Sequence, residues 1–237
     1  MNYLSHAFRF LDRPAFALAT QIPDFMNMVD RKARARRKLA VMHLDNDDPF
    51  FSELSAGIVQ HHDDDHAFHS SLVFNRLNHE LGAYLKAERP DERGMRSWFV
   101  GHIAVEMILD WSIWHRNPEM MDRLYKIFAD VDVAKLTHCV QTITGKPLPT
   151  FEKMHGVFMR ERFLYDYQED AGLFYRINRI VERVGLAPFA DADVYLMAQA
   201  REMVDSQWQQ LLSCLEPSAS PHLADGNSPA NTRIASK

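Results

Sequence analysis

Residues 96 to 114, RSWFVGHIAVEMILDWSIW, put apolar side chains on every face of a helix. A helix of that kind is stable only when other elements surround it, so the segment predicts a central helix inside a packed helical domain. Three groups interrupt it at four-residue spacing: His102, Glu106 and Asp110. One turn apart, they share a face. Left unpaired in a core they would cost roughly several kcal/mol, which predicts that they are paired or bind something.

The rest of the chain carries the same period. Leu72, Val73, Leu77, Leu81 and Leu85 give residues 70 to 86 an amphipathic helical pattern. Glu88 to Gly94 (ERPDERG) reads as a loop, and Asn117-Pro118 ends the central helix. Helices are expected over 119–128, 131–144 with Gly145 as its C-terminal cap, 151–167, 171–184 and 191–215. Near the start, Asp12 is placed to cap a helix with Pro14 in its first turn, and Pro23 is expected to turn Ile22 out of helix and bend the chain beside Asp24. No segment alternates with a two-residue period between hairpin turns, and no internal repeat is visible. The expected architecture is all-α, a single-domain bundle of seven to nine helices over residues 1–215. Residues 216–237 (EPSASPHLADGNSPANTRIASK) lose apolar content and read as a disordered tail. At 237 residues and 46% apolar composition, the chain is long enough to bury a sizeable core.

A second stripe lies in residues 60–70, QHHDDDHAFHS. His61, Asp65 and His69 project from one helical face, with Ile58, Val59, Leu72 and Val73 marking an apolar surface nearby, whereas His62, Asp63, Asp64 and His66 are expected in solvent. Two helices carrying His-Asp-His and His-Glu-Asp could face each other and hold a metal between them. Mixed imidazole and carboxylate sets suit Mn, Fe or Zn. His6 taken alone reads as a satisfied core histidine, and Asp24 alone as a helix cap.

Other chemistries find no footing. The chain has no GxSxG elbow, no phosphate-binding glycine loop and no GxGxxG, with nine glycines in all. Cys139 and Cys214 lack metal-ligand spacing and read as reduced thiols of a cytoplasmic protein. The opening residues lack a leader's apolar run, and no stretch reaches membrane-spanning length. A net charge of −5 and a pI near 6.2 give no reason to expect a nucleic-acid or membrane partner. The local exception is Arg31–Lys38 (RKARARRK), six basic residues in eight, either a solvated face or a landing patch for an acidic partner.

Four motifs, MNYLSHAF at the start, IPDF at 22–25, GIVQHHDDD at 57–65 and EMILDWSIW at 106–114, together resemble the acyl carrier protein phosphodiesterase family. That resemblance covers about the first half of the chain. It implies an all-α, HD-domain-like, manganese-dependent phosphohydrolase that releases 4′-phosphopantetheine from a carrier protein. It also implies functional roles for His6, Asp24, His61, Asp65, Glu106 and Asp110. The chain departs from the family pattern at His62, Asp64, His69 and Trp111. HIAVEMILD is also similar to the ligand helix of zinc-dependent phospholipase C-type enzymes. The expectation is a hydrolase of phosphate esters or diesters, with a phosphorylated small molecule or a phosphopantetheinylated carrier protein as partner. The ligand candidates are His6, Asp24, His61, Asp65, His69, His102, Glu106 and Asp110, and the candidate catalytic carboxylates are Asp24, Asp65 and Glu106. A non-catalytic helical metal-binding scaffold is the alternative of a different class.

Overall fold

A computed structural model of the chain describes residues 1–89 and 96–215, and among these there is no strand. The helices are α1 (Tyr3–Ala7), α2 (Pro14–Ala19), α3 (Ile22–Val29), α4 (Arg37–Ala40), α5 (Pro49–Ser70), α6 (Leu72–Glu88) and α7 (Ser97–Arg116), then α8 (Glu119–Asp130), α9 (Val133–Thr144), α10 (Phe151–Glu161), α11 (Asp170–Arg183), α12 (Leu196–Asp205) and α13 (Trp208–Ser213). Short 3₁₀ turns cover Phe8–Phe10, Val41–His43, Phe163–Gln168 and Asp191–Tyr195. The helices of ten residues or more, α5 to α12, correspond to the long periodic segments of the sequence; the others are one or two turns long. The expected tail at 216–237 and most of the ERPDERG loop lie outside the described residues.

The central helix is α7. Val105, Ile108 and Leu109 have no solvent exposure, and α1, α6, α8, α11 and α12 all pack around it. An aromatic cluster packs around Phe158: its ring lies tilted against Phe128 with centroids 4.5 Å apart, and Phe25 meets Phe151 edge-on at 5.2 Å. Each such ring contributes about 1.5–3 kcal/mol through burial.

Helix α5 is fixed at both ends. Asp48 accepts from the Phe50 N–H at its start, with Pro49 at the first position. Ser71 then caps α6 by accepting from the Phe74 N–H, which breaks the chain directly after His69-Ser70. In between, α2 crosses α5 at Gly57. A Cβ there would lie 2.5 Å from the Phe16 carbonyl oxygen and from Ala19 Cβ, so only glycine permits the approach.

Several local expectations are corrected. Asp12 caps nothing: Arg13 holds the N-cap position of α2, and Asp12 pairs with Arg123 across 2.6 Å. Ile22 is helical, because Pro23 sits in the first turn of α3, where its missing N–H is harmless; the bend falls at Thr20-Gln21. The segment 151–167 is split at Arg162, whose φ of 43° is left-handed, and 191–215 divides into a 3₁₀ turn and two helices.

Candidate metal centre

The two stripes do not face each other along their length, because α1 is wedged between α5 and α7. Both oxygens of Asp110, on α7, accept backbone N–H bonds from α1, from Leu4 at 2.9 Å and Ser5 at 2.7 Å. These charge-assisted bonds satisfy orphan donors at the start of α1 and hold it against the central helix. Burial pushes the Asp110 carboxyl up to about 6 even so, with the two backbone bonds opposing. Asp110 therefore fixes the element that carries His6, and its oxygens belong to neither ligand group described below. On the other side of α1, the His6 ring stacks on His61 of α5 with centroids 4.0 Å apart.

The first ligand group is His6, His61 and Asp65. His6 Nε2 lies 3.3 Å from Asp65 Oδ1, and His61 Nε2 lies 3.5 Å from Asp65 Oδ2. Ligand bonds of 2.0–2.1 Å in a tetrahedron leave neighbouring donor atoms about 3.4 Å apart, close to each of these two spacings, which run to different oxygens of Asp65. His61 Nδ1 is 2.8 Å from the Thr20 carbonyl oxygen. A carbonyl only accepts, so Nδ1 carries the proton and Nε2 keeps its lone pair for the site. Burial holds both imidazoles below their ordinary pKa, His61 further than His6, leaving the neutral form a metal requires. Burial works to raise Asp65, but His6 and the Met1 amino group overcome it and hold the carboxyl below its usual range.

His6 is not the satisfied core histidine that its sequence context suggested. It is fully buried, its approach to Asp65 lies outside hydrogen-bonding geometry, and neither ring nitrogen has a hydrogen-bond partner. Such a group costs about 1–3 kcal/mol unless something else binds it.

The second group is His69, His102 and Glu106, where the end of α5 meets α7. Glu106 Oε1 lies 2.8 Å from His69 Nε2 and 3.0 Å from His102 Nε2, and the two rings stack at 4.8 Å. These are hydrogen-bond distances, so an ion would open this triad by about half an ångström. Burial opposes ionisation of Glu106, but the Met1 amino group and the two imidazoles hold its carboxyl well below the usual range. The Met1 amino nitrogen joins the groups, 2.8 Å from Asp65 Oδ1 and 2.9 Å from Glu106 Oε1. Although burial opposes its charge, Glu106 and Asp65 push it up to about 11. The space between the carboxylates thus already collects positive charge.

Asp24, in the first turn of α3, lines two cavities of about 440 and 380 Å³ that open on the cluster. Burial, then the neighbouring Asp65 and Glu106, push its carboxyl up to about 8, the response of a third acid confined with two others. A cation there would relieve all three.

Within the HHDDDH run, Asp63 and His66 are exposed and His62 is half-buried, but Asp64 is 3% exposed, corrected from solvent to core. It pairs with Arg9, 55 residues away, and accepts from Gln60. His62 and Asp63 clamp the basic run: His62 Nε2 lies 2.8 Å from the Ala35 carbonyl, and Arg37 pairs with Asp63 at 2.7 Å. Sequence reasoning missed the Thr20 carbonyl, the Met1 amino group and Arg183, which lines the larger cavity. A backbone acceptor leaves no residue signature, and the other two join the site only through tertiary contacts. No helix among the described residues is long and apolar enough to cross a membrane. No protein-family model, curated protein or solved structure matches this chain.

Proposed function

We propose that this chain is a metal-dependent hydrolase of phosphate esters or diesters, an HD-domain-like protein resembling the acyl carrier protein phosphodiesterases. The observation that supports it best is the pair of imidazole and carboxylate groups converging from α1, α5 and α7, with His6 of the first group buried and neither of its nitrogens hydrogen-bonded. His6, His61 and Asp65 would hold one Mn, Fe or Zn ion, with Asp24 completing the shell from the cavity side. His69, His102 and Glu106 would hold a second. Such an ion supplies charge neutralisation at phosphoryl oxygens and brings the pKa of a water toward neutrality. The chain's own residues do the positioning. Thr20 sets the His61 tautomer, Asp110 pins α1 and hence His6, and Glu106 aligns both imidazoles of the second group. The substrate would be a phosphorylated small molecule or a phosphopantetheinylated carrier protein. Cys139 and Cys214 are free thiols, in keeping with a cytoplasmic protein.

One observation favours a second reading. The contacts of the Met1 amino group with Asp65 and Glu106 neutralise the acids without any ion, as a non-catalytic scaffold would need. Turnover of bis-p-nitrophenyl phosphate separates the two. The hydrolase requires Mn²⁺-dependent turnover that Asp65→Asn and chelator both reduce to background. Bound metal without turnover of a panel of phosphate mono- and diesters would leave the scaffold.

A further inference from the structure

The cavity of about 440 Å³ is lined by groups of opposite charge. Asp24 and Glu106 of the ion cluster line it, and so do Arg31, Arg34 and Arg183. Met28, Ile103, Phe163, Ile180 and Val184 add apolar lining. Arg183 also lines an adjoining cavity of about 290 Å³, which shares Met28, Phe163, Tyr167 and Ile180 with the first.

Most of the described arginines are engaged with carboxylates. Arg9, Arg13, Arg37 and Arg116 each pair with a carboxylate of another element, as do Arg123, Arg162 and Arg201. Beside the site, Arg176 pairs with Asp166 and Arg179 with Glu182. Among the described residues, the arginines without a carboxylate at ion-pair distance are Arg31, Arg34, Arg36, Arg96 and Arg183, and all but Arg96 line the cavities that open on the cluster. Guanidinium groups that line one cavity without ion-paired carboxylates favour an anion there. They come from the basic run after α3 and from the end of α11, segments about 150 residues apart in the chain. The planar five-donor fork of each is suited to bidentate phosphate binding.

We propose that Arg31, Arg34 and Arg183 form an anion subsite that holds a second phosphate or diphosphate group of the ligand, in the cavity that Asp24 and Glu106 of the ion cluster also line. The subsite stands on three arginines without a carboxylate partner lining one cavity; that its ligand is also the hydrolysed ester rests on the function proposed above. The substrate class is then a phosphoester bearing a further phosphoryl anion, with an apolar or aromatic portion against Phe163 and Ile180. A cavity of this volume accommodates such a small molecule. The chain's net charge of −5 would not by itself attract one.

Pyrophosphate titrated calorimetrically into the full chain in chelator tests the subsite without any metal contribution. The wild type should bind at one saturable site. Arg183→Gln and the double variant Arg31→Gln/Arg34→Gln should each weaken binding about tenfold or more, the loss expected of charge-assisted contacts. Arg96→Gln, which removes an equally unpaired charge outside the cavities, should stay within about twofold. Absence of saturable binding, or equal weakening by Arg96→Gln, would overturn the proposal. Because bis-p-nitrophenyl phosphate carries one anion, the wild type's turnover of it judges the hydrolase reading separately. Pyrophosphate binding without turnover faults the reaction and leaves the subsite standing, and turnover without binding does the reverse.

Discussion

His6→Leu should stabilise the metal-free protein and abolish its response to metal. Burial keeps His6 neutral, and its two nitrogens contact no hydrogen-bond partner. A buried polar group in that state costs about 1–3 kcal/mol, and leucine fills a similar volume without the polar atoms. Against this gain stands the stacking on His61 at 4.0 Å, worth about 0.5–1.5 kcal/mol, while Asp65, which loses the 3.3 Å approach of His6 Nε2, keeps the Met1 amino group at 2.8 Å. The net should be about 1 kcal/mol in favour of the variant, or a melting temperature about 2–4 °C higher for a chain of this size. Metal reverses the order. At an ion concentration 100 times its Kd, the wild type gains about 2.7 kcal/mol, or roughly 5–11 °C, and the variant gains nothing from the first site. Differential scanning fluorimetry with chelator and then with Mn²⁺ reads both halves. A variant that melts below the wild type in chelator, or that rises with Mn²⁺ as much as the wild type does, would refute the assignment of His6.

The second ligand group is tested by a contrasting pair: His102→Ala should lower the bound-metal stoichiometry, while His66→Ala, exposed on the same run as His61, should leave it unchanged by mass spectrometry. Gly57→Ala would gain about 1 kcal/mol on helix propensity alone, yet its Cβ meets the Phe16 carbonyl and Ala19 at 2.5 Å; urea titration should show a net loss of about 1–3 kcal/mol. At the surface, the hydrogen bond from Arg116 holds the Asp205 carboxyl below its ordinary value. The unfolded chain therefore binds the proton first as pH falls, so the pair's contribution is intact above about pH 4 and disappears below it. Asp205→Asn should flatten that acid limb by less than about 1 kcal/mol in urea titrations at stepped pH, and a larger change would mean the pair is less solvated than it looks.

The long helices and their polar stripes are legible in the sequence because four-residue spacing is a local property. His61, Asp65 and His69 share a face for the same reason that Leu77, Leu81 and Leu85 do. What joins the faces is not local. Helix α1 has five residues, too few to show a period, and its wedge position depends on Asp110 more than 100 residues away. Direct apposition of α5 and α7 was therefore the natural expectation, and the intervening helix divides the ligands into two groups. Asp64 reads as solvated because it lies among charges, and only the fold brings Arg9 to it. The left-handed Arg162 likewise ends α10 at a residue with no turn signature. Arg183 looks like any charge at a helix C-terminus until α11 packs beside α7.

Metal content is the most direct test of the cluster. Protein purified without a metal-affinity tag and analysed for Mn, Fe, Zn and Ni by mass spectrometry should carry one to two equivalents of divalent ion. Chelator should remove them, and re-addition should restore the higher melting temperature. A chain that purifies free of metal, and whose melting is unmoved by any of these ions, would contradict the ion-binding role of His6, His61, Asp65, His69, His102 and Glu106.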